Sequence, residues 1–166
     1  MFYEPGKSGH GLPHDPFKSL VVPRPIGWIS TYAKDGTPNL APYSFFNAVG
    51  FAPPMVIFSS GTRRPDHSDK DSALNVEETG AFVVNMVSYD LRDQMTLSAE
   101  EVDPDVDEFD LAGLEMGQAK TVNAPLVVAS PAHLECKYMQ TVKLESTKPG
   151  VFSKVVFGEV VGVQIN

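Results

Sequence analysis

The chain has 166 residues, 42% of them hydrophobic, and carries 13 Lys and Arg against 21 Asp and Glu for a formal charge of −8. At roughly 150 residues per domain this predicts one domain, large enough to form a core without disulfides, and the single Cys136 has no internal partner for one. The acidic balance excludes a sequence-independent grip on nucleic acid or anionic lipid, and no apolar run approaches the roughly 18 residues of a membrane span.

Residues 1–23 hold Gly6, Gly9, Gly11, Pro13, Pro16 and Pro23, too many breakers for a regular element, and read as an extended arm. The arm lacks the apolar stretch of a secretion signal, so the expected location is cytoplasmic. Ile26 to Ala33 mixes β-branched and aromatic residues and predicts a strand, with a hairpin turn at Lys34, Asp35 and Gly36. Leu40 to Phe51 continues the β pattern until Pro53 and Pro54, and Met55 to Ser59 predicts a buried strand.

Gly61 to Ser68 is a polar, basic loop. Asp69 or Asp71 is placed to cap a short helix through Val76 that stops at Gly80, and Ala81 to Val87 predicts the next strand. Ser88 is placed to cap a second helix, where Leu91, Met95 and Leu97 or Ser98 recur at helical spacing. Glu100 to Asp110 is dense in carboxylates, whose mutual repulsion predicts a solvated loop. After Pro125, strands are predicted at Leu126 to Val128, Ala132 to Leu144 and Val151 to Ile165, with bends or bulges at Gly158 and Gly162. Strands dominate and do not alternate regularly with helices, so the expected architecture is a mainly β antiparallel barrel with a few short helices.

Familiar signatures fail on spacing. Gly6, Gly9 and Gly11 make G-x-x-G-x-G with no strand before them, and Gly6-Lys7-Ser8 lacks the earlier glycine of a phosphate loop. His10 and His14 lie among breakers, and a strand places His133 and Cys136 on opposite faces, so no metal site is expected. Cys136 sits in an apolar strand as an inert thiol, and no G-x-S-x-G elbow occurs.

Two segments stand out. Arg63, Arg64, His67 and Lys70 gather four potential cations into eight residues of an acidic chain, and Lys70, Asp71 and Ser72 open the predicted helix, where free N–H groups attract an anion. The alternative is a solvated loop with capping residues. NLAPYSFFN, Asn39 to Asn47, combines small residues, hydroxyls, amides and aromatics without clean alternation. It suits a flat aromatic ligand, with Ala41 and Pro42 allowing close approach and Ser44 and Asn47 bonding ring heteroatoms; a bulged strand is the alternative.

These segments, with PRPIGWIST (Pro23 to Thr31), PPMVIFSS (Pro53 to Ser60), KDSALNVEETGAFVVN (Lys70 to Asn85), VDEFDLAGL (Val106 to Leu114) and HLEC (His133 to Cys136), resemble the flavin reductase-like proteins of the FMN-binding split-barrel fold, near flavoredoxin. The resemblance spans nearly the whole chain. It implies a six-stranded antiparallel Greek-key barrel, a homodimer, and FMN in a groove near the subunit interface. Thr31, the turn Asn39, Leu40, Ala41, Pro42, Ser44 and Asn47, and the strand end Ser59–Ser60 would border the flavin. Lys70, Asp71 and Ser72 would hold its phosphate, with Arg64 and His67 as looser contacts. Relatives commonly run several tens of residues past the strand ending at Ile165, so a further C-terminal strand or tail is expected.

The function so implied is hydride transfer from NADH or NADPH to the flavin, with electrons passed to a further acceptor such as a monooxygenase. No Rossmann fingerprint occurs, so the nicotinamide is expected to bind transiently in the flavin groove. A flavin-binding electron carrier without nicotinamide activity, and a barrel that binds no flavin, are the competing readings.

Overall fold

The computed structural model describes residues 1–166 except 6, 8, 63–68, 104 and 148. The N-terminal arm is not wholly extended, because α1 (Pro16–Leu20) interrupts it. Asp15 accepts the Phe17 N–H at 3.0 Å, and Pro16 takes the first helical position, where its missing N–H has no intrahelical role.

β1 (Gly27–Tyr32) and β2 (Pro38–Tyr43) form the expected hairpin, with Gly27 opposite Tyr43 and Tyr32 opposite Pro38. The single run expected from Leu40 to Phe51 divides at Ser44 and Phe45. Its second half, β3 (Phe46–Phe51), pairs with β4 (Pro54–Gly61), which buries only alternate residues such as Val56 and Phe58. One continuous strand could not serve both pairings, since β2 and β3 lie at opposite edges of the sheet.

α2 (Asp71–Thr79) is a turn longer than expected; Lys70 is its N-cap, and Gly80, at φ 77°, ends it in the left-handed conformation. β5 (Ala81–Asn85) follows with every residue buried. The second predicted helix is a 3-10 turn, Tyr89–Leu91, continued by α3 (Arg92–Leu97), and Ser88 makes no side-chain cap bond. The carboxylate-rich stretch also departs from expectation. It ends in α4 (Glu108–Leu111), where Asp107 accepts the Phe109 N–H at 2.8 Å and the buried Phe109 ring outweighs charge repulsion.

β6 (Met116–Gln118), too short to be visible in the sequence pattern, pairs with β7 (Pro125–Val127) as a separate ribbon. β8 (Ala132–Glu145) and β9 (Phe152–Ile165) form a long hairpin. The main sheet is antiparallel in the order β2-β1-β5-β8-β9-β4-β3, so among the described residues the expected six strands are corrected to seven plus the two-stranded ribbon.

The β8–β9 register shifts twice, between Glu135 and Cys136 and between Tyr138 and Gln140, next to Gly162 and Gly158. Such bulges bend a hairpin and add twist. The two sheet halves therefore face each other: Tyr43 of β2 meets Phe58 of β4, ring centroids 5.0 Å apart, although these strands are not sheet neighbours. Ile29, Val56, Phe82, Val84 and Val156 fill the space between. Cys136 lies in this core, and burial pushes its thiol well up, which leaves it an inert group.

A second cluster, Trp28, Leu40, Leu91, Phe109 and Val127, packs the 3-10 turn and α4 against the hairpin's other face. Trp28 Nε1 donates to Ser98 Oγ at 2.8 Å. This anchoring carries the segment 98–108 alongside β2. No helix among the described residues is long and apolar enough to cross a membrane.

Candidate functional site

The end of β2, the start of α2 and the acidic segment 98–108 enclose a groove of about 910 Å³, within the range of small-molecule sites. Strand pairing and the Trp28 cluster, rather than sequence proximity, bring them together. Eight of the fourteen residues singled out in the sequence line the groove: Asn39, Ala41, Pro42, Ser44 and Ser59 from β2, the turn after it and β4, and Lys70, Asp71 and Ser72 from the head of α2.

Four do not. Thr31 is fully buried and accepts from Asn75 Nδ2 at 3.1 Å, beneath α2. Leu40 puts its side chain in the second core and gives its N–H to Glu108. Asn47, on β3, is exposed and its Oδ1 accepts from the Ala48 N–H at 2.9 Å, while Ser60 is buried between the strands. Arg64 and His67 lie outside the described residues.

The cationic side of the groove has a second source in the N-terminal arm. Arg24 and Lys18 line the wall beside Ser44 and Phe45. Arg24 Nη1 donates to the Lys18 and Val21 carbonyls, its Nε reaches Ser44 Oγ at 3.4 Å, and its guanidinium lies 5.7 Å from the Phe45 ring centroid. One arginine thus ties α1 to the turn after β2. Outside the groove lining, Lys154 of β9 bridges Asp69 and Glu77, both at 2.7 Å. Burial works against its charge, but these two bonds outweigh it and hold its pKa above the ordinary value.

Glu108 is the residue that the charge pattern hid. It is one of seven carboxylates between residues 100 and 110, yet it is 6% exposed and lines the groove. Its Oε1 accepts from Asn39 Nδ2 and its Oε2 from the Leu40 N–H, both at 2.9 Å. Burial raises its pKa to about 7, with Asp71 and Asp107 adding to the rise and the Leu40 N–H opposing it. The sequence signal that could have found it is Asp107-Glu108-Phe109, a cap followed by an anchoring ring, which predicts an ordered turn.

Glu100, Glu101 and Asp103 also border the groove, so this segment is a wall of the site and not only a solvated loop. Among the described residues no cluster of three or more His, Cys, Asp or Glu could hold a metal ion.

A groove with a cationic wall, small residues and hydroxyls at a strand end, and a long antiparallel hairpin behind it narrows the family, and a model of the flavin reductase like domain matches residues 19–166. The chain belongs to this family. An uncharacterized protein of Aquifex aeolicus is 42% identical over 146 residues, covering 88% of this chain and 71% of its own length. One from Deinococcus radiodurans is 42% identical over 149 residues, 87% of this chain, which spans 63% of that relative.

Among solved structures, nitrilotriacetate monooxygenase component B from Bacillus cereus superposes with a TM-score of 0.88 at 26% identity, over 99% of this chain and 81% of that one. Flavoredoxin of Desulfovibrio vulgaris shares the fold, with a TM-score of 0.74 at 21% identity over 96% of this chain and 76% of its own.

Proposed function

We propose that the protein is a flavin-dependent oxidoreductase that holds FMN in this groove and takes hydride from NADH or NADPH. The observation that carries this reading is the meeting of Lys70 and Ser72, at the head of α2, with the Asn39–Ser44 strand end in one groove in a chain of the flavin reductase like family.

The groove's chemistry fits the cofactor. An anion suits the head of α2, where N–H groups without helical partners and the helix dipole supplement the Lys70 ammonium. Arg24 and Lys18, from the N-terminal arm, supply further positive charge to the groove. A flat ring suits the Ala41–Pro42 backbone, with the Ser44 and Ser59 hydroxyls available to its polar edge. FMN, when bound, supplies the two-electron chemistry. The chain's own residues then bind, orient and exclude water, and hydride transfer needs no catalytic dyad from them.

The proposal includes a homodimer, supported by edge strand β3, whose Val49 and Phe51 are 47% and 94% exposed. It also includes delivery of electrons to a partner acceptor, supported by the likeness to a monooxygenase component.

The test is the visible absorbance of purified protein loaded with FMN and mixed anaerobically with NADH and, separately, NADPH. Bleaching of the flavin band by either is expected. Retained flavin without bleaching would make the protein an electron carrier instead, and failure to take up flavin would remove the reading altogether.

A further inference from the structure

The groove holds a hydrogen-bonded chain that the proposed reaction does not use. Glu108 accepts from Leu40 and Asn39, and Asn39 Oδ1 in turn accepts from Ser72 Oγ at 2.8 Å. Glu108, Asn39 and Ser72 are all at least nine-tenths buried and all line the groove.

The charge on Glu108 dictates the direction of every bond. An ionised carboxylate can only accept, so Asn39 must turn its NH2 to Glu108 and its carbonyl to Ser72, whose one proton is then committed inside the protein. A neutral Glu108 still accepts the Leu40 N–H through one oxygen but donates from the other. Asn39 then turns its amide over, offering its carbonyl to Glu108 and its NH2 to Ser72 Oγ, and the Ser72 proton is released from Asn39 to an anion in the groove or, with none bound, to the neighbouring Tyr43 hydroxyl.

We propose that Glu108, Asn39 and Ser72 form a proton-linked switch, in which uptake of one proton by Glu108 converts Ser72 into a donor for an anion seated at the head of α2. The inference rests on the phosphate-binding reading above and deepens it, since it gives that site a pH-dependent affinity.

Burial and the neighbouring carboxylates place the Glu108 transition at about 7, so both arrangements are populated near neutrality. The groups that face it are Asp107, the N-cap of its own helix, Tyr43 on β2, and Lys70 and Asp71 at the head of α2. Glu100, Glu101 and Asp103 come from the adjoining segment, and Lys18 and Arg24 from across the groove.

The test measures binding of FMN and of inorganic phosphate to the full chain as a function of pH, in wild type, Glu108→Gln and Ser72→Ala. From pH 8 to pH 6 the competent fraction of wild type rises from about a tenth to about nine tenths, so its affinity relative to Glu108→Gln should rise about tenfold. Glu108→Gln, which carries an NH2 where the neutral acid carries its O–H, should be flat apart from the ligand phosphate's own ionisation, common to all three proteins. Ser72→Ala should be equally flat and weak throughout. If it keeps the wild-type pH response, simple repulsion between Glu108 and the anion is the cause and the switch is overturned.

In unliganded, nitrogen-15-labelled wild type, the Leu40 N–H and Asn39 side-chain NH2 resonances should titrate with a midpoint at about 7. Their failure to move overturns the switch whether or not flavin binds. Phosphate binding with the expected pH response but no flavin uptake would support the switch and remove the proposed cofactor, whereas flavin binding with no pH response would do the reverse.

Discussion

The backbone of Gly158 on β9 lies against the ring of Phe82 on β5, two strands away across β8. A Cβ on Gly158 would stand 2.5 Å from Phe82 Cε1 and 3.2 Å from Cys136 Cβ. Phe82 is fully buried and meets Phe58 edge-on, with centroids 5.5 Å apart and ring planes at 72°. The missing side chain on β9 makes room for the ring that joins the two halves of the barrel.

Gly158→Ala should therefore destabilise the fold by about 1–3 kcal/mol through overpacking. Phe82→Leu in the same chain should recover part of the loss, a coupling that a double-mutant cycle of urea midpoints would measure. Equal, additive losses in the two single variants would show that the ring does not meet this strand.

Lys70→Ala should weaken FMN binding by about 1.5–3 kcal/mol if a charge-assisted phosphate contact is lost. The Lys70 side chain makes no cap bond to α2, so the variant should still fold and melt cooperatively. Flavin fluorescence quenching checks the first statement and a melting curve the second; unchanged affinity would remove Lys70 from the site.

Glu101→Gln combined with Asp103→Asn should tighten binding of the anionic ligand about two- to fivefold at low salt, because these carboxylates border the groove. The gain should shrink as salt is raised. No change at low salt would mean that the segment faces solvent, as its sequence alone suggests.

Two buried carboxylates give stability opposite pH dependences. Glu108, raised to about 7, holds its proton more tightly when folded, so its contribution is complete below about pH 4.5 and is lost as pH rises through about 7. The loss amounts to about 2–3 kcal/mol, reduced where groove water reaches the carboxyl. For Glu135, burial alone would raise the pKa, but bonds from the Lys120 and Thr121 N–H groups, the Thr121 hydroxyl and Gln164 hold it below the ordinary value. Its contribution is present above the ordinary carboxylate range and is lost as pH falls through the lowered value. Urea midpoints from pH 3 to pH 8 should show the neutral-side decline vanish in Glu108→Gln and the acid-side decline vanish in Glu135→Gln.

Local patterns carried the hairpin at Gly36, the helix stop at Gly80 and the long strands after Pro131, because turn chemistry and β-branched runs act over a few residues. They did not carry the division at Ser44 and Phe45, which follows from the distant partners β1 and β4. Nor could they reveal α1, where one Asp-Pro cap overrides a run of breakers.

The sequence by itself determined the mainly β class, since composition and periodicity are local properties, and its motifs carried the resemblance to the family; it also singled out the Asn39–Ser44 strand end and the Lys70–Ser72 helix start, which share one groove. Tertiary structure alone decided that Thr31 and Leu40 turn away from the groove, that Arg24 and Lys18 enter it, and that Glu108 among seven similar carboxylates is the buried one. Each outcome depends on contacts between segments tens of residues apart, made only when the bent β8–β9 hairpin closes the sheet and the Trp28 cluster pins the acidic segment beside β2.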